Sequence, residues 1–310
     1  MGVARDLLLR GSQSHWMAEH LPRRRFVRRA VRRFMPGEEL ADATGAASLL
    51  AEKGLGTVFT ILGENVESPD ATRAVVRQYV AALEAIDAGG LDADLSVKPT
   101  HLGLDLDAEL AAANLDALLG RAGEARRLVA IDMEASPYVD HTMELYRRLR
   151  ARHEGAGICL QSYLHRTERD LETLLPLSPM VRLVKGAYAE PADVAWPRKD
   201  DVDESYLRLA TRLLEARRED PRLRVAFGTH DERLIDVIRA RGAGLGLPPD
   251  ALEFQLLYGI RRELQERLAA SGHRVRVLIS YGSHWFPWYM RRLAERPANV
   301  GFLLRSVLRD

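Results

Sequence analysis

The sequence predicts an α/β protein: a (β/α)8 barrel of the TIM type preceded by an N-terminal helical extension. Three observations carry that expectation. From residue 56 onward, eight short runs rich in Val, Ile and Leu alternate with helical stretches. Most of these runs are apolar almost throughout and turn polar only at the C-terminal end, as parallel strands buried on both faces do. Eight strand–helix units within 310 residues also fit the roughly 250 residues of such a barrel, whereas an open doubly wound sheet rarely needs eight.

Residues 1–45 read as a helical arm. Val27, Ala30, Val31 and Phe34 recur at helical spacing and make an apolar stripe. Arg23, Arg24, Arg25, Arg28, Arg29, Arg32 and Arg33 crowd the remaining surface. Such a face is ordinarily solvated, with the stripe packed on the main domain; contact with an anionic membrane is the sharper reading. Pro36 and Gly37 end the helix. Residues 46–310 form the barrel domain, with strands expected at 57–63, 94–100, 127–134, 157–164, 181–188, 224–231, 252–259 and 274–282. V-A-I-D-M-E at 129–134 and V-R-L-V-K-G-A-Y at 181–188 show the apolar run with its polar end. In a barrel the catalytic groups come from those ends, so Glu64, Lys98, Asp132, Glu134, Gln161, Tyr163, Lys185, Tyr188, Thr229, His230, Asp231, Gln255, Tyr258 and Tyr281 are candidates to share one site.

Composition narrows the partners. A formal net charge of +1 gives no global attraction to nucleic acid. One cysteine, Cys159, excludes an intramolecular disulfide framework and suits a reducing compartment. No apolar run approaches the roughly 20 residues of a membrane helix, so the chain is expected in the cytoplasm, with peripheral contact at the inner membrane face left open. The nine histidines show no paired ligand spacing, and no protein-held metal is expected. G-A-G-L-G at 242–246 follows a helix and precedes a strand, the wrong context for a dinucleotide-binding turn. Of 45 basic residues only Lys53, Lys98, Lys185 and Lys199 are lysine, which singles out the two at strand ends.

Arg291 and Arg292 follow the eighth strand, on a stretch expected to be helical, with Glu295 four and three residues on. Paired guanidinium groups near a helix start suit a carboxylate ligand, although consecutive positions diverge by about 100° and an ordinary basic face has the same spacing. Lys98 and Asp132 end neighbouring strands, where the lysine would keep the acid ionised. Arg182 and Lys185 fall on opposite faces of an unbroken strand. Lys98 or Lys185 could instead form a Schiff base, the chemistry of a lyase or aldolase. A non-catalytic flavin or amino-acid binding protein is a third reading.

Seven motifs carry a resemblance: S-V-K-P-T at 96–100, I-D-M-E at 131–134, L-Q-S-Y at 160–163, V-K-G-A-Y at 184–188, G-T-H-D at 228–231, F-Q-L-L-Y-G at 254–259 and R-R-L-A-E-R-P-A-N at 291–299. In this order they resemble the bacterial monofunctional proline dehydrogenases. The resemblance implies an FAD-dependent barrel that oxidises L-proline to Δ1-pyrroline-5-carboxylate and passes electrons to membrane quinone. It implies that Arg291 and Arg292, braced by Glu295 and assisted by Lys98, bind the proline carboxylate, and that Tyr188 and Tyr281 enclose the ring. Asp132 and Arg182 match the family's active-site acid and arginine. Met133, Gln161, Lys185, Gly186, Ala187, Thr229 and His230 match positions that contact FAD. I-S-Y-G at 279–282 and Trp288 depart from the family pattern and bear on ring selectivity.

Overall fold

The computed structural model describes residues 31–286 and 288–290. Eight parallel strands close in sequence order, and β1 pairs with β8. They are β1 (Gly56–Ile61), β2 (Ala93–Val97), β3 (Val129–Ile131), β4 (Ala156–Gln161), β5 (Met180–Val184), β6 (Arg224–Gly228), β7 (Glu253–Leu257) and β8 (Arg274–Tyr281). The connecting helices are α2 (Pro69–Ala88), α3 (Ala108–Glu124), α4 (Val139–Arg150), α5 (Thr167–Leu174), α6 (Lys199–Glu219), α7 (Glu232–Gly244) and α8 (Arg262–Ala270), with α1 (Leu40–Ala51) before β1. The expected (β/α)8 barrel is the observed one.

Local chemistry sets the helix starts. Ser68 caps α2 by accepting from the Ala71 N–H at 3.2 Å, and Pro69 stands where no N–H is needed. Asp107 caps α3 through the Leu110 N–H at 2.8 Å. The main apolar core lies between sheet and helices, where Phe59, Phe227, Phe254, Tyr79, Tyr146 and Tyr206 are fully buried. All eight strands stop short of their expected C-terminal ends. The polar residues there, such as Asp132, Lys185 and Thr229, leave the ladder and turn into the loops above it.

Inside the barrel, period-two alternation places a second, polar layer. At the N-terminal end of the strands Arg224 donates to Glu253 at 2.6 Å and to Asp94 at 3.1 Å, and Arg276 reaches Asp94 at 3.3 Å. Two arginines against two carboxylates close the barrel floor with no net charge, which is how partly buried charges are tolerated.

The boundary expected between residues 45 and 46 falls inside α1, which packs on β1 and β8. Of the expected apolar stripe, Val27 and Ala30 lie outside the described residues, as do Arg23, Arg24, Arg25, Arg28 and Arg29. Val31 is buried and Phe34 partly so, against Leu62, Trp285 and Tyr289. Trp285 donates its indole N–H to Glu38 at 2.9 Å, and Arg32 and Arg33 are exposed. Gly259, at φ +74°, lies under this segment: a Cβ there would sit 1.6 Å from the Arg33 carbonyl oxygen. Gly259→Ala is therefore expected to lower Tm by about 2–5 °C and to open residues 31–38 to protease, as seen by calorimetry and limited proteolysis. Unchanged protection of that segment would count against the contact.

Candidate active site

A cavity of about 650 Å³ opens at the C-terminal ends of the strands, within the roughly 300–1,000 Å³ usual for small-molecule sites. Lys98 just after β2, Asp132 and Met133 after β3, Gln161 from β4 and Arg182 from β5 line it. Lys185, Gly186, Ala187 and Tyr188 line it from the loop after β5, and Thr229 and His230 from the loop after β6. Glu64, Asp231 and Gln255 line it too, so most of the sequence candidates are brought to one place.

Tyr281 is not among them. On β8 the residues that reach the cavity are Leu278 and Ser280, and alternation turns Tyr281 the other way. Its ring meets Phe59 edge-on, centroids 6.1 Å apart, in the layer between sheet and helices, where burial pushes the phenol pKa up. Arg291, Arg292 and Glu295 lie outside the described residues.

The strongest electrostatic feature is a buried ion pair. Arg182, 6% exposed, donates through Nη2 to Asp132, to Ser96 Oγ at 2.9 Å, and through Nη1 to Gln255 Oε1 at 3.3 Å. Ser96 also donates to Asp132 at 2.7 Å. Burial opposes the charge on Arg182, but the Asp132 carboxylate outweighs it and holds the guanidinium pKa above its ordinary value. The counter-ion of Asp132 is therefore Arg182, not the Lys98 that strand order suggested. Lys185 lies just past the end of β5, so strand alternation does not separate it from Arg182 and both line the cavity; its amine turns to Asp203 on α6 and to Asp231 at 3.4 Å. That engagement makes it a poor free-amine nucleophile.

Burial pushes the Asp203 carboxyl up, yet hydrogen bonds from Lys185 and Lys199 prevail and hold it below its usual range. Cys159 also lines the cavity, with its thiol pushed up by burial and so kept protonated.

Several residues that line the cavity carry a buried polar atom without a hydrogen bond: Gln161 Oε1, Arg182 Nε, Thr60 Oγ1 and Ser280 Oγ. Gln161 is oriented, since its Nε2 donates to the Met133 carbonyl at 3.1 Å and leaves Oε1 as an acceptor. His230 accepts the Leu257 N–H on Nε2 at 3.0 Å, which leaves the neutral ring's proton on Nδ1. Gly186, at φ +115°, lets the chain pass over the Tyr163 ring, 2.3 Å from where a Cβ would stand. The polar and charged side chains that line this cavity suit a polar, planar heterocycle. Ser96, Thr60 and Ser280 were not picked out from sequence, though counting by two from Lys98 or Arg276 reaches Ser96 and Ser280.

Glu134, 3% exposed, accepts from the Thr100 N–H at 2.9 Å and from its hydroxyl at 2.7 Å. Burial pushes its carboxyl up to about 7, against those hydrogen bonds and Lys98, which favour the charged form. The folded protein thus holds this proton more tightly than the unfolded chain does. The stability it contributes is full below pH 4.5 and is lost as pH rises through about 7. Glu134→Gln can keep both contacts to Thr100 and should gain on the wild type by about 3 kcal/mol between about pH 5 and about pH 8. Thermal melts across that range measure it, and a difference independent of pH would contradict it.

A family model described as proline dehydrogenase matches residues 43–305. The chain is 38% identical over 283 residues to proline dehydrogenase 1 of Bacillus subtilis subsp. natto, covering 91% of this chain and 92% of that one. It is 38% identical over 282 residues to proline dehydrogenase of Deinococcus radiodurans, covering 89% of each. Among solved structures, proline utilization A (PutA) from Bdellovibrio bacteriovorus, inactivated by N-propargylglycine, superposes with a TM-score of 0.81 at 23% identity over 94% of this chain. This chain spans 36% of that protein, and at such identity the likeness speaks for the barrel alone.

Proposed function

Because the chain belongs to the proline dehydrogenase family, we propose that its cavity binds FAD and L-proline side by side and that the enzyme oxidises proline to Δ1-pyrroline-5-carboxylate. The observation that carries this reading is the meeting of Lys98, Asp132, Gln161 and Arg182 at one cavity on the C-terminal face. FAD, when bound, supplies the hydride acceptor for a carbon beside nitrogen.

The chain's own residues bind, orient and exclude water. Met133, Gln161, Lys185, Gly186, Ala187, Thr229 and His230 hold the cofactor. Gln161 offers its Oε1 to a ring N–H, and Arg182 places positive charge where the reduced ring system gains negative charge. Lys98 attracts the substrate carboxylate, with Arg291 and Arg292, braced by Glu295, as the main clamp and Tyr188 beside the ring. A clamp at the far end fixes the reacting carbon, which is an orientation effect. Leu62, Leu257, Leu278 and Trp288 supply apolar wall.

The electrons leave to a membrane quinone. Among the described residues no helix is long and apolar enough to cross a membrane. Contact is assigned instead to the arginine-rich N-terminal segment, of which Arg32 and Arg33 are exposed. Liposome binding unaltered by charge reversal at Arg28, Arg29, Arg32 and Arg33 would count against this. The activity itself is tested by dye reduction with L-proline while an amine trap captures the cyclic imine. Dye reduction and trapped imine in equal amounts are expected; neither appearing with the FAD-loaded protein would overturn the reading.

A further inference from the structure

We propose that Gln255 and Glu253 are positioning residues for Arg182, a relay from the barrel floor that fixes the guanidinium on the side away from Asp132. Residues 253 and 255 are two apart on β7, so both side chains enter the barrel, where they are 2% and 6% exposed. Glu253 Oε2 accepts from Arg224 Nη2 at 2.6 Å and Nε at 3.1 Å. Glu253 Oε1 accepts from Gln255 Nε2 at 2.7 Å.

A carboxylate paired with arginine has only acceptors to offer, so Gln255 must turn its nitrogen toward Glu253 and its oxygen away. That oxygen meets Arg182 Nη1 at 3.3 Å. Nη2 is held on the other side by Ser96 and Asp132, and Nε is left without a hydrogen bond. Held at Nη2 alone, the guanidinium could swing about that corner. Held at two nitrogens, its plane is fixed.

A leucine at 255 would avoid burying an amide, so a glutamine there costs desolvation that only its two hydrogen bonds offset. The lower end of the relay is anchored by Arg224, Arg276 and Asp94, none of which lines the cavity. Glu253 thus sets the geometry of Arg182 from the far end of the barrel without touching a ligand.

The proposal rests on the reading that Arg182 serves the bound flavin and proline, and one experiment separates the two. Gln255→Met keeps the side-chain length and leaves Glu253 with its arginines. Nitrogen-15 spectra of the arginine side chains are recorded on the holoenzyme without proline, alongside steady-state turnover. The two Nη groups of Arg182 are expected to give separate signals in the wild type and to merge by exchange in the variant. The kcat for proline should fall about tenfold or more while KM moves less than about twofold, the pattern of lost geometry in the reacting complex. Should Gln255→Met not fold, Glu253→Gln serves, because an amide no longer dictates which way Gln255 turns. Arg182 signals that stay separate, or a kcat unchanged within about twofold, would overturn the relay. A wild type that shows ordered Arg182 signals yet does not oxidise proline would overturn the functional reading and leave the relay standing on its spectra.

Discussion

Arg182→Met should lower kcat for L-proline by about 100- to 1,000-fold, the usual scale for deleting a preorganised charge at a reacting centre. The side chain supports three contacts at once, to Asp132, Ser96 and Gln255, and removal leaves the Asp132 carboxylate without its cation. Breaking a buried pair on one side costs about 3–5 kcal/mol, so the melting temperature should fall as well. Arg182→Lys distinguishes charge from geometry: an ammonium restores the partner of Asp132 but cannot reach Ser96 and Gln255 in the same plane. The lysine variant is expected to recover most of the stability and little of the rate. Stopped-flow reduction and calorimetry on both variants measure the split, and a lysine variant with wild-type kcat would show that the fork is immaterial.

Arg291→Met should raise KM for proline by about 10- to 100-fold, the worth of a charge-assisted hydrogen bond to a carboxylate, while kcat at saturation falls far less. Under the proposed clamp the ground state and the transition state share one carboxylate contact, so its loss should appear mainly in KM. Proline analogues lacking the carboxylate offer a second reading of the same interaction: they should discriminate poorly between wild type and variant. A variant with unchanged proline affinity would remove the clamp from the mechanism.

The barrel was legible because a strand buried on both faces must be apolar nearly throughout, and eight such runs leave few other closures. Strand ends were less so. Hydropathy does not mark where Asp132 or Lys185 leaves the ladder, since a polar residue at a barrel mouth looks the same inside a strand or just past it. The cavity positions were readable for the related reason that polar residues gather at those ends. Tyr281 shows the limit of proximity along the chain: it stands at a strand end, yet a single step of alternation puts it against Phe59 while Leu278 and Ser280 face the cavity. The partnership of Arg182 with Asp132 and Gln255 depends on the register of β2, β3, β5 and β7 around a closed barrel. No local pattern encodes it. The arginine clamp remains an assignment by motif, because Arg291, Arg292 and Glu295 lie outside the described residues.

A flavin held in this cavity should be reduced by proline. The most direct test is anaerobic titration of the purified holoenzyme with L-proline, followed by the flavin band near about 450 nm. The band is expected to bleach with one proline consumed per flavin and to return when a quinone analogue is added. A yellow protein whose band proline leaves untouched would contradict it.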